Sequence, residues 1–135
     1  MTRPPINEAE AVLHGMLKRA GFPEPIWHQQ LELGRPLGTT SPDCYFPADD
    51  EDEPGVCIYM DGLSQHIHGN ADTRERDRQI REQLRSLGHE VVEIAASDLT
   101  DQAAMRRHFF RLGKYLLGRE KAEDVKRDMG WFVEE

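Results

Sequence analysis

Three consecutive segments between residues 56 and 95 constrain the fold of this chain more than any other feature. Val56 to Met60 is apolar on both faces, the pattern of a strand covered on both sides. Residues 73–87 bring Ile80, Leu84 and Leu87 to helical spacing, and Gly88 follows as a helix cap. Glu90 to Ala95 is again a strand-like apolar run. Strand, helix and strand in that order ask for a parallel, right-handed crossover. Two earlier runs, Ile26 to Leu33 and Cys44 to Phe46, read as further strands, with Gly34, Pro36 and Gly38 marking a turn after the first. The expected fold class is α/β, a mixed β-sheet core flanked by helices.

Helices are expected at both ends. Asn7 can cap the first, with Glu8 and Glu10 in the turn where the helix dipole favours acids. Ala9, Val12, Leu13, Met16, Leu17 and Ala20 form its apolar face, and Gly21, Pro23 and Pro25 end it. Asp101 caps a last long helix whose apolar side carries Ala104, Met105, His108, Phe109, Leu112, Tyr115 and Leu116. After Gly118 the chain is very polar until Trp131-Phe132, and reads either as a further helix or as a segment that docks on a partner. One domain of 1–135 is expected, globular over about 7–117, with 118–135 a polar tail.

Charge and cysteine usage narrow the classes. The formal net charge is -8, and residues 49–53 are five consecutive acids, Asp and Glu. Arginines concentrate beyond residue 73, so the net charge neither excludes nor supports a DNA-binding face. Cys44 and Cys57 are the only cysteines, each inside an apolar run. Buried thiols are expected, and neither a disulfide scaffold nor a four-ligand zinc pattern. No run reaches membrane-span length and no signal-peptide pattern opens the chain, so a cytoplasmic protein is expected. No glycine-rich phosphate loop precedes a helix, which argues against a hydrolase of small phosphate esters.

The polar groups that carry chemistry lie in residues 41–87. If the runs after Asp43 and before Asp61 pair, two carboxylates reach neighbouring strands, where a hard divalent cation finds oxygen ligands. Such an ion activates water and stabilises charge on a phosphoryl group. His66 follows Asp61-Gly62 closely enough to fold back as a general base or acid, and Asp77 on the next helix can orient it. Each also has an ordinary reading. Asp43 suits a strand edge, Asp61-Gly62 a turn, His66 and His68 a surface loop, and Asp77 a helical ion pair.

The ordered set of Pro42-Asp43, Val56 to Gly62, His66, Arg76-Asp77, Leu84, Gly88, Val91 and Ile94 resembles a known group. It is similar to the very-short-patch-repair endonuclease branch of the PD-(D/E)XK nuclease superfamily. It looks closer still to the small nuclease-like domains at the C-terminus of helicase-related phage-defence proteins. The resemblance covers residues 7–117. It implies a restriction-endonuclease-like fold and an endonuclease that hydrolyses DNA phosphodiesters with Mg2+ or Mn2+.

By that resemblance Asp43 is the central metal-binding acid. Asp61 stands where many members have a lysine and the repair relatives a catalytic histidine. His66 matches the second histidine of those relatives, and Asp77 the acid that orients it. The main-chain carbonyl of Met60 is implied as a further metal ligand, and Glu10 as the acid from the first helix. Arginines of the 73–87 helix, with Lys114 or Arg111, would contact the DNA backbone without reading bases. A helicase-type or defence-system protein, or a longer parent chain, is the implied partner. Tyr59 stands in place of the usual second acid, which should weaken metal binding, and no lysine stands at the motif position to stabilise transition-state charge. The alternative is therefore a catalytically degenerate module of the same fold that binds DNA or protein, with Trp131 and Phe132 exposed for docking.

Overall fold

The computed structural model describes residues 7–50, 53–61 and 71–132. In chain order its elements are α1 (Glu8–Ala20), β1 (Ile26–Trp27), β2 (Leu31–Gly34), β3 (Gly38–Thr40), β4 (Cys44–Phe46), β5 (Val56–Asp61), α2 (Ala71–Ser86), β6 (Glu90–Ala95), a 3-10 turn (Ala96–Thr100), α3 (Gln102–Leu116) and α4 (Arg119–Arg127). They pack as two compact units, the first built on Pro25–Glu93 and the second on Pro4–Glu24 with Ile94–Glu135.

The first unit holds a mixed sheet in the order β1-β4-β5-β6. Antiparallel pairing sets Trp27 opposite Cys44 and Cys44 opposite Ile58. The Glu90 N–H donates to the Gly55 carbonyl at 3.1 Å, so β5 and β6 start side by side and run the same way. Helix α2 supplies Ile80 and Leu84 to a core shared with Leu33, Cys57 and Val91. Leu87, expected as the third member of that stripe, is 48% exposed. The helix stops at Ser86, and Gly88 turns the chain away at φ 97, a left-handed value that suits glycine. The N–H groups of Gly88 and His89 then close on the carbonyls of Arg85 and Leu84.

The single strand expected from Ile26 to Leu33 is two. His28 has a φ of 58, which stops β1 after Trp27. The chain resumes as β2, which leaves the main sheet and forms a hairpin with β3. Cys44 and Cys57 are fully buried free thiols. Burial pushes the Cys57 thiol up to about 12, so it stays protonated and inert.

His89 links this unit's stability to pH. Its ring stands edge-on to Tyr45 at 6.0 Å, and its inaccessible Nδ1 has no hydrogen-bond partner among the described residues. Burial lowers its pKa from 6.5, only partly offset by a hydrogen bond to the Gly55 backbone. As pH falls below 6.5 the unfolded chain takes up this proton before the folded one, so stability falls. Melting temperature is expected to drop between about pH 7 and 5.5, with a shallower slope in His89→Gln. Equal slopes would assign the drop to other groups.

The second unit is helical. Asn7 Oδ1 accepts the Glu10 N–H at 2.9 Å to cap α1, and Asp101 Oδ1 accepts the Ala104 N–H at 3.1 Å to cap α3. Leu13, Met16 and Leu17 of α1 and Met105, Phe109 and Leu112 of α3 are all fully buried. Phe109 meets Phe22 edge-on at 5.3 Å and stacks on Trp131 at 4.3 Å. Trp131 is thus core at 4% exposed, not the exposed docking residue that the polar run before it suggested. Its Nε1–H donates to the Val125 carbonyl at 2.9 Å, and the Arg19 Nε–H donates to the Trp131 carbonyl at 3.1 Å. Tyr115, expected on the apolar side of α3, is 58% exposed. No helix among the described residues is long and apolar enough to cross a membrane.

Candidate metal centre

Asp43 is fixed by the strand pair that it precedes. Pro42 before it donates no N–H, and Cys44 after it begins β4. Its carboxylate Oδ2 accepts the Met60 N–H of β5 at 2.7 Å, a short, charge-assisted bond. A carboxylate has two oxygens and about four acceptor sites, so it can accept an N–H and hold a cation together.

His28 reaches the same place through strand register. Trp27 pairs with Cys44, and antiparallel pairing makes His28 and Asp43 the next pair. The His28 N–H donates to the Asp43 carbonyl at 3.2 Å. One ring nitrogen of His28 and one carboxylate oxygen of Asp43 lie within 4.8 Å of each other. Two donors sharing an ion at about 2.1 Å each can stand up to about 4.2 Å apart, so at most a small side-chain rotation closes the pair on a metal. His28 was not legible as a ligand from its neighbours in sequence. The signal lay in the pairing of two very short strands, which no local motif announces.

Asp61 is differently engaged. Cys57, Tyr59 and Asp61 alternate onto one face of β5, and Cys57 sits in the core that α2 covers. Arg81 of α2 meets Asp61 there in a fork, at 2.6 and 3.2 Å, and also lies 3.4 Å from Glu93. The guanidinium stands 4.7 Å over the Tyr59 ring, whose hydroxyl shares a 2.6 Å hydrogen bond with Thr40. Burial outweighs that bond and pushes the Tyr59 phenol up to about 12, so it stays neutral. Tyr59 therefore adds no negative charge to this face of β5.

The remaining sequence candidates fall in various settings. Asp77 is exposed on α2. Met60, buried at 6% exposed, is tied to Asp43 through its N–H. Glu10 belongs to the second unit, on the first turn of α1, and is a charged residue only 1% exposed. Burial of a carboxylate that deep requires compensation by hydrogen bonds or positive charge. His66, with His68 and Gly62, lies outside the described residues. No family model, no curated protein and no solved structure matches this chain.

Proposed function

We propose that this protein binds a divalent cation at Asp43 and His28 and uses it to hydrolyse DNA phosphodiesters, on a restriction-endonuclease-like scaffold. The observation that carries the reading is the Asp43 carboxylate, clamped by the Met60 N–H at 2.7 Å and faced by the His28 ring. One oxygen and one nitrogen donor suit Mn2+ better than Mg2+, which prefers oxygen and water alone. When bound, such an ion supplies charge for a phosphoryl oxygen and a more acidic water. Asp43, tied to β5 by its bond from the Met60 N–H, and His28 would hold the ion. His66, supported by Asp77, is the proposed proton-transfer group, and a helicase-type or defence-system partner would bring the DNA.

A second reading, a catalytically degenerate module of the same fold, is favoured by the Asp61–Arg81 fork. That ion pair ties up the acid expected at the metal and neutralises its charge.

Thermal unfolding with and without Mn2+, together with cleavage of plasmid and single-stranded DNA, tests both. A metal at a hundred times its Kd is expected to add about 2.7 kcal/mol of stability to the wild type. His28→Ala should lose most of that shift and of the cleavage, and His66→Ala the cleavage alone. Glu10→Gln in the same assays asks whether the acid of α1 takes part. Metal-dependent stabilisation without cleavage would select the binding module, and neither effect would remove the metal from the protein's function.

A further inference from the structure

The arginines of α2 are not alike. Arg78 pairs with Glu75 and Glu82, and Arg85 with Glu93, through side chains that are each about half accessible. Pairs of that kind are screened by water and salt and hold little. Arg81 is different. Its side chain is only 16% accessible, and it grips both oxygens of Asp61, Nη2 on Oδ1 at 2.6 Å and Nη1 on Oδ2 at 3.2 Å. Two parallel charge-assisted bonds are the strongest form of this pair. The Tyr59 ring beneath the guanidinium fixes its plane at 4.7 Å.

The acid held this way is a neighbour of Asp43. Asp61 directly follows Met60, whose N–H lies 2.7 Å from Asp43 Oδ2. Cys44 pairs with Ile58, so the register continued by one residue sets Asp43 opposite Tyr59, with Asp61 on the diagonal. Diagonal neighbours on one face stand about 7–8 Å apart. A carboxylate spans roughly 4 Å from its Cβ to an ion bound at about 2.1 Å, so two on a diagonal can share one ion. The Tyr59 phenol, raised above all by burial, also feels the charges of Arg81 and Asp43, which places both beside the same ring. In the fork, however, the Asp61 oxygens are not part of the ligand group at His28 and Asp43. Arg81 also has a second acid within reach. Glu93 Oε1 lies 3.4 Å from its Nη1, at the same distance from Arg85.

We propose that the Arg81–Asp61 fork is a latch on the candidate metal centre, which withholds Asp61 from the ion until Arg81 shifts to Glu93. The latch rests on the metal reading of the preceding subsection for its site, and adds the element that sets the affinity of that site. Closed, it leaves the ion with Asp43 and His28 and places a fixed positive charge nearby. Open, it gives the ion a third ligand and a second negative charge. The two equilibria are reciprocal, so a bound ion loosens the fork by the same factor by which the fork weakens the ion.

The test is the Mn2+ affinity of the full chain by titration calorimetry, in wild type, Arg81→Gln, Asp61→Asn and the double variant, each first shown to unfold cooperatively without metal. Arg81→Gln is expected to tighten Mn2+ binding about 10-fold, since even groups that only orient a metal ligand change affinity by 10- to 100-fold. Asp61→Asn should not tighten it, and the double variant should lose most of the gain. Should Arg81→Gln not fold, Arg81→Lys keeps the charge but not the two-pronged bond, and is expected to show a smaller gain that Asp61→Asn again removes. Binding by Arg81→Gln alone would uphold the latch as closed in the wild type. Equal affinity of wild type and Arg81→Gln would overturn the latch and leave the metal reading standing. An undiminished gain in the double variant would also overturn it, because Arg81 would then act by its charge and not through Asp61. No Mn2+ binding by any of the folded proteins would remove the metal reading and the latch with it.

Discussion

Trp131→Ala is expected to destabilise the protein by about 3–5 kcal/mol, the range for emptying a large aromatic site in a packed core. Trp131 is 4% exposed, stacks on Phe109 at 4.3 Å, and meets Phe132 edge-on at 6.2 Å. Phe109 is itself fully buried and touches Phe22, so the cavity would open beside an aromatic row and not at a surface. The substitution also leaves the Val125 carbonyl without the Nε1–H that it accepts at 2.9 Å. For a chain of this size the loss corresponds to a melting-temperature drop of roughly 10–20 °C. Trp131→Phe should retain most of the stacking and lose about one hydrogen bond, on the order of 1 kcal/mol. Urea denaturation of the three proteins gives the comparison. A change within about 0.5 kcal/mol for Trp131→Ala would mark a surface residue and revive the docking role that the sequence suggested.

That docking role arose because the evidence for burial is not local to the residue. Helix α4 is written REKAEDVKR, and only Ala122 and Val125 in it are buried. Two small apolar positions among charges give little periodic signal. Helix α4 is held instead by close approach to α3, where a Cβ on Gly113 would stand 3.0 Å from the Ala122 Cβ. A glycine inside an apolar helix is read from sequence as a weakness, although here it admits a neighbour. The central elements were legible for the opposite reason. Val56 to Met60, Ile80 with Leu84, and Glu90 to Ala95 each carry a complete period, and short connections leave little freedom in ordering them.

The candidate centre was legible in one half only. Asp43 declared itself by following a proline and opening an apolar run, and the β4–β5 pairing that its role needed is present. Asp61 followed the same logic to a different end, because strand alternation turns it toward α2, where Arg81 takes it. Its fate depended on which face of β5 the helix covers, and Tyr59 with Cys57 could not reveal that when both faces are apolar. His28 depended on a two-residue strand and a left-handed backbone turn, both below the reach of periodicity.

Asp43→Asn and Asp43→Ala should separate the structural from the metal-binding role of this carboxylate. Asparagine retains an oxygen that can accept the Met60 N–H, but a neutral bond replaces a charge-assisted one. The expected stability change without metal is about 1 kcal/mol. Alanine leaves the N–H of Met60, a residue 6% exposed, without its acceptor, and should cost a further 1–3 kcal/mol or so. With Mn2+ present the two variants should converge, since neither carries the anionic ligand. Wild-type melting temperature should rise with metal, and both variants should stay flat. DNA cleavage should fall by at least about a hundredfold in both, because even residues that only support metal ligands are worth 10- to 100-fold. The informative case is Asp43→Asn, which stays folded and removes little but charge. If it is stabilised by Mn2+ as the wild type is, Asp43 is an acceptor that joins β4 to β5 and nothing more, and the metal proposal fails at its central residue.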